Sequence, residues 1–199
     1  MVGASKIRGW LAALIAAVAL LAPGHASAAV EITFYAREMG SQFPHGFVVL
    51  AGTLDRTGER IDVNYGFTAT HVSPTILFGS VRGEVEPLEP GYVRGSEPHF
   101  RMTLSDAEYD QVVATVTRYG ELRQPSYNLN RRNCVHFIAD VATALGMQAE
   151  LPRNLTRRPR SFTELLIRSN REWLDRRGAT ILREPPPERP ARRSERQRD

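Results

Sequence analysis

The chain has 199 residues, a net charge of +4 at neutral pH and one cysteine. That length suits one domain with a real core and excludes two comfortable ones, and a lone cysteine excludes an internal disulfide. Residues 29–152 hold 10 Arg against 15 Asp and Glu, whereas residues 153–199 hold 14 Arg against 7; the basic tail lacks the aromatic interleaving that would stack bases, so no nucleic-acid partner is expected.

The chain opens with Lys6 and Arg8, an apolar run over 10–21, then Pro23, Gly24 and the small-x-small triplet Ala26-Ser27-Ala28. The run is short for a membrane span, and the flanks are those a signal peptidase reads. Residues 1–28 are therefore expected to be a signal peptide, and the protein to be exported, periplasmic or extracellular according to the cell. Residues 30–35 alternate and are rich in β-formers, which predicts a strand. A loop with Gly40 and Pro44 follows, then an apolar strand over 45–54, turn residues 55–58, and a strand over 60–70. Alternation in that last strand puts Ile61, Val63, Tyr65 and Phe67 on one face, and Asp62, Asn64 and Gly66 on the other. The two strands read as a hairpin. Residues 71–80 read as a loop or short helix, and 81–88 and 98–104 as two more strands parted by Glu89-Pro90-Gly91.

Ser105 and Glu108 form a capping box that opens a helix running to about Tyr119, stopped by Gly120, with Val112, Val113 and Val116 as its apolar stripe. A polar loop over 124–133 leads to a second helix, starting at Asn133 or Cys134 and ending at Gly146. Its apolar face carries Cys134, Ile138, Val141 and Leu145. Ser161 and Glu164 suggest another capping box, opening a third helix to about Arg177. From Glu184 the Pro and Arg/Glu mixture cannot bury enough surface to order itself. The expected organisation is thus a domain over 29–152, an Arg-rich extension with one helix over 153–183, and a disordered tail over 184–199. Such an extension suits attachment to an anionic envelope surface, or plain solvation.

The thiol is the chemical question. Cys134 falls at a helix start, where free N–H groups and the helix dipole favour an anion and lower a thiol pKa. Its place on an apolar stripe equally suits a packed, inert cysteine. A nucleophilic cysteine needs a base in reach, and His45, His71, His99 and His136 are the candidates beyond residue 28. His136 lies two residues on, about 200° around a helix, and faces away from Cys134; a surface or supporting role is expected. His45 opens a buried strand, a natural place to present a base to a helix N-terminus. His71 is the alternative, and His99 has less to recommend it. A lone Cys with scattered His makes no zinc pattern, and no glycine-rich phosphate loop carries the needed Lys-Ser/Thr pair, so neither metal nor cofactor is expected.

The segment Asn133-Cys134-Val135-His136-Phe137, after Tyr127-Asn128-Leu129 and before Leu145-Gly146, resembles the permuted branch of the NlpC-like, papain-like cysteine hydrolases. In that branch a His-bearing strand precedes the Cys helix, as Phe43-Pro44-His45-Gly46-Phe47 does here. The lecithin:retinol acyltransferase-like family has N-C-E-H-F at its cysteine and the PPPDE isopeptidase family N-C-N-x-F; Val135 departs from both. The resemblance covers residues 43–146. It implies an α+β fold with an antiparallel sheet packed on the Cys-bearing helix, Cys134 as nucleophile and His45 as base. It also implies an orienting residue on the adjacent strand, Asn64 or else Asp62, and the Cys134 N–H as an oxyanion donor, with Asn133, His136 and Tyr127 around the site. The implied activity is an exported cysteine hydrolase cutting an amide in a peptide, a cell-wall peptide among the candidates. An acyltransferase or esterase on an acyl substrate, or a non-catalytic envelope-binding module, are the alternatives.

Overall fold

In the computed structural model, residues 29–37, 43–71 and 74–187 are described. The expected signal segment and the last part of the tail lie outside them. The fold is α+β, with one sheet of six strands in the order β4-β3-β2-β1-β5-β6. These are β1 (Val30–Arg37), β2 (His45–Thr53), β3 (Arg60–Ala69), β4 (Gly83–Glu86), β5 (Glu97–Leu104) and β6 (Thr180–Ile181), and each pairs antiparallel to its neighbours. The helices are α1 (Pro90–Arg94), α2 (Asp106–Gly120), α3 (Cys134–Ala144), α4 (Pro159–Ser169) and α5 (Arg171–Arg176), with single helical turns at Pro74–Leu77 and Arg153–Leu155.

The strand alternation decides where the core lies. β1 runs buried and half-buried in strict turn, so Val30, Ile32 and Phe34 face one way. Phe34 stands opposite both Val48 and Phe100, and its ring stacks on Phe100 at 4.5 Å between centroids; such a pair is worth ~1 kcal/mol beyond its buried area. Onto this face pack α2, α3 and α4. Phe137 of α3 meets Tyr119 of α2 edge-on at 5.1 Å, and Tyr119 meets Phe67 of β3 at 4.9 Å, so three elements are tied by one aromatic chain. The predicted stripe Cys134, Ile138, Val141 and Leu145 is buried throughout.

The Ser105–Glu108 capping box is formed as expected, with the Glu108 side chain accepting from the Ser105 N–H at 2.8 Å. The hairpin of β2 and β3 is also formed. The strand expected over 81–88 contracts to β4, and the stretch after Glu89 is not a bare turn but helix α1, with Pro90 at its first position.

The third helix differs more. It opens at Pro159, no side chain caps it, and Ser161 and Glu164 sit inside its first turns, so the second capping box does not form. Pro at the first helical position already fits the helix φ and has no N–H to satisfy, which moves the cap three residues earlier, from Ser161 to Arg158. The helix then breaks at Asn170. That side chain is buried and bonds the backbone of Gln148 in both directions, accepting from its N–H at 2.7 Å and donating to its carbonyl at 2.8 Å. Satisfying a distant loop holds Asn170 out of helical geometry, and α5 begins beyond it. Residues 153–183 are also part of the core rather than an appendage: Phe162, Leu166, Ile167 and Leu174 are buried in it, and β6 extends the sheet beside β5. Glu184 pairs with Arg171, and residues 188–199 of the expected tail lie outside the described residues.

Candidate functional site around Cys134

Asn133 builds the start of α3. Its backbone is extended, and its side-chain oxygen accepts from the Val135 and His136 N–H groups at 2.9 and 3.3 Å. Its amide donates to the carbonyls of Leu129 and Thr156, both at 2.7 Å. One buried side chain therefore caps the helix and clamps the loop before it to the turn after Arg153. His136 turns back onto the cap, its Nδ1 2.9 Å from Asn133 Oδ1. It is half-buried and supports the cap rather than facing the thiol, as the helix geometry requires.

Cys134 follows the cap and is buried. Gly46, the second residue of β2, presses on α3 so closely that a Cβ there would stand 3.0 Å from Ile138 and 3.2 Å from Pro159. The Gly46, Val135 and Cys134 backbone N–H groups approach the sulfur and favour its anion, yet burial outweighs them and pushes the thiol up to about 11. The lowering expected of a helix start is thus overturned by desolvation: at neutral pH the group is a thiol.

His45 opens β2 directly before that glycine. Because Gly46 faces α3, alternation sends the His45 side chain to the other face, where it stacks over Phe47 at 6.0 Å and meets Tyr92 of α1 edge-on at 6.2 Å. Its Nε2 lies against β3, where a Cβ on Gly66 would be 2.5 Å away, and has no hydrogen-bond partner. Nδ1 is the ring nitrogen not closed off in this way. Burial lowers the imidazole to about 4, so it is neutral at neutral pH.

Both side chains line one cavity of about 380 Å³ that passes the start of β2, although no hydrogen bond joins them. Catalytic contacts are often loose without substrate and tighten when it binds. The walls are mostly apolar, from Phe43, Leu77, Leu88, Tyr92, Tyr127 and Leu129, with Arg157 at one side. Tyr127 is buried, its ring 5.4 Å from Phe67, and burial followed by the nearby Cys134 raises its hydroxyl pKa.

The orienting residue expected on β3 is not beside His45. Asn64 pairs with Val49, four residues along β2 from His45, and stands two residues along β3 from the glycine that faces the imidazole. Its side chain is occupied by Leu88, donating to that carbonyl at 3.2 Å and accepting from that N–H at 2.6 Å. Asp62 is further along and exposed. The position facing Nε2 is Gly66, which has no side chain to offer. His71 is exposed and outside the cavity, and His99 lies on β5, beyond β1. Two contributors escape a reading of the sequence. Tyr92 borders both His45 and the cavity, held by the Arg37 guanidinium 4.5 Å above its ring; a Pro following Glu89 is the available sign of the short helix that carries it. Gly66 shows in the sequence only which face of its strand it occupies. Among the described residues no group of three His, Cys, Asp or Glu is placed to hold a metal ion.

Comparison with family models, with curated proteins and with solved structures finds no match for this chain. The site therefore stands on its own chemistry.

Proposed function

We propose that this protein is an exported cysteine hydrolase of the permuted NlpC-like, papain-like kind, working through a Cys134 thioester. The carrying observation is that the thiol of Cys134, at a capped helix start, and the imidazole of His45, on an earlier strand, line the same cavity. Their resting state is a neutral thiol and a neutral imidazole, so the proton moves as attack occurs. Sγ bonds to the acyl carbon, its proton passes to His45 Nδ1, and the imidazolium returns that proton to the departing amine or alcohol. Water then attacks the thioester carbonyl as His45 takes its proton, the C–S bond breaks to release the carboxylic acid, and the imidazolium returns the proton to Sγ. The Cys134 backbone N–H serves as an oxyanion donor.

Of the scissile groups considered, an amide in a polar cell-wall peptide and an ester or thioester of an apolar acyl group, the apolar lining favours the second. The test is a p-nitrophenyl ester of a medium-chain fatty acid. An acyl mass on Cys134 and a burst of nitrophenol are expected, both lost in Cys134→Ala, with acylation slowed about 10²–10⁴-fold in His45→Ala. Hydrolysis that persists in Cys134→Ala with no adduct on the wild type would sink the proposal and favour a non-catalytic module.

A further inference from the structure

The rim of the cavity, and the two turns that Asn133 joins beside it, carry two features the chemistry does not use. Phe43, Leu77 and Phe78 are large apolar side chains left 64, 61 and 88 % exposed, and two of them, Phe43 and Leu77, also line the cavity. The second feature is basic. Arg131, Arg132, Arg153, Arg157 and Arg158 are all exposed. The Asn133 amide gathers them, since it ties Leu129 to Thr156 and so holds the two arginine-bearing turns together. Arg157 reaches across to Asn130, donating to its side-chain oxygen at 3.0 and 2.7 Å, and lines the cavity as well. Among the described residues none of these five has an acidic partner. Of the acids on neighbouring elements, Glu97 is engaged by Arg160 and Arg183, and Asp140 by Arg118 and the Tyr119 hydroxyl.

We infer that this face docks on an anionic lipid bilayer, with Phe43, Leu77 and Phe78 entering the interface and the five arginines meeting lipid phosphates. Exposed apolar side chains flanked by arginines without acidic partners suit insertion among acyl chains beside negative headgroups. The cavity mouth, bounded by the same residues, then opens toward the bilayer. The inference does not depend on the cysteine chemistry.

A local reporter separates this face from any other part of the chain that meets lipid. Phe78→Trp, in the full chain and corrected for the native tryptophans, is mixed with phosphatidylcholine vesicles containing or lacking phosphatidylglycerol. Docking predicts a blue-shifted emission from the introduced indole, quenched by brominated acyl chains, with phosphatidylglycerol present and about tenfold weaker without it. The same shift weakens with added salt and in Arg157→Gln/Arg158→Gln. An unchanged emission while the protein still binds vesicles would overturn the inference, because another segment would then carry the attachment. A shift that follows protein concentration without vesicles would overturn it too, and make the face a contact between two copies. Equal shifts with both lipid mixtures would remove the part assigned to the arginines.

Discussion

His45 and His99 are both buried, both held near pKa 4 chiefly by desolvation, and both have ring nitrogens without partners. His99 is enclosed completely within β5, with both nitrogens orphaned and Glu97, Arg183 and Arg160 around it. His45 has one orphaned nitrogen against Gly66 and lines a cavity that also holds a thiol. The same titration thus belongs to a strand residue in one case and a candidate base in the other. A depressed imidazole marks burial; a nucleophile and space for a substrate mark a site.

Three measurements test the contrast between these two histidines. The largest effect is expected in the reactivity of Cys134. With the thiol near 11, its alkylation rate at neutral pH should be about 10²-fold below that of an ordinary cysteine of pKa ~8.5 and should climb tenfold per pH unit to about pH 10. His99→Gln should leave that profile where it is. An inflection near or below 8.5 would show that burial does not control the sulfur.

Next comes Gly66→Ala. Its Cβ would fall 2.5 Å from His45 Nε2 and 3.1 Å from Phe47 Cβ, so the imidazole must swing aside. A loss of ~1–3 kcal/mol in urea melts is expected together with slower acylation, whereas Gly79→Ala, with open space around it, should change neither. Acylation at the wild-type rate in Gly66→Ala would mean that the observed His45 position is not the working one.

The smallest effect is the pH dependence of stability. His99 has a folded pKa of about 4 against 6.5 for the free side chain. Between these values the unfolded chain binds the proton that the folded chain refuses, so this contribution is full above 6.5, declines as pH falls toward 4 and is flat below. His99→Gln should flatten that decline in urea melts across pH 4–7. A decline as steep as the wild type's would assign it to other groups.

How much can be read beforehand varies along the chain. The β2–β3 hairpin, the Ser105 capping box and the buried stripe of α3 follow from period and local hydrogen bonding, so they are legible. The start of α4 is not, because two competing local signals, Pro159 and the Ser161–Glu164 pair, point to different first residues, and the packing of residues 153–183 on the sheet decides between them. The break at Asn170 depends on Gln148, far away in sequence. At the site, Cys134, His45, Asn133 and Tyr127 are singled out by the sequence and share one cavity. Asn64 fails because alternation gives the face of a strand residue and not its register: it lies on the same side as Gly66 but beside Val49.

Periodic and nearest-neighbour features are legible from the chain alone: which stretches alternate, where Asn133 caps a helix, and that the single thiol begins one. The chemical state of that thiol, by contrast, depends on how distant segments pack around it. A helix start favours the thiolate through a few nearby N–H groups, whereas burial under β2 removes the water that would solvate the charge, and the balance pushes the thiol up to about 11. The partner of His45 was decided in the same way, since register, a long-range property of paired strands, set Gly66 rather than Asn64 against its Nε2.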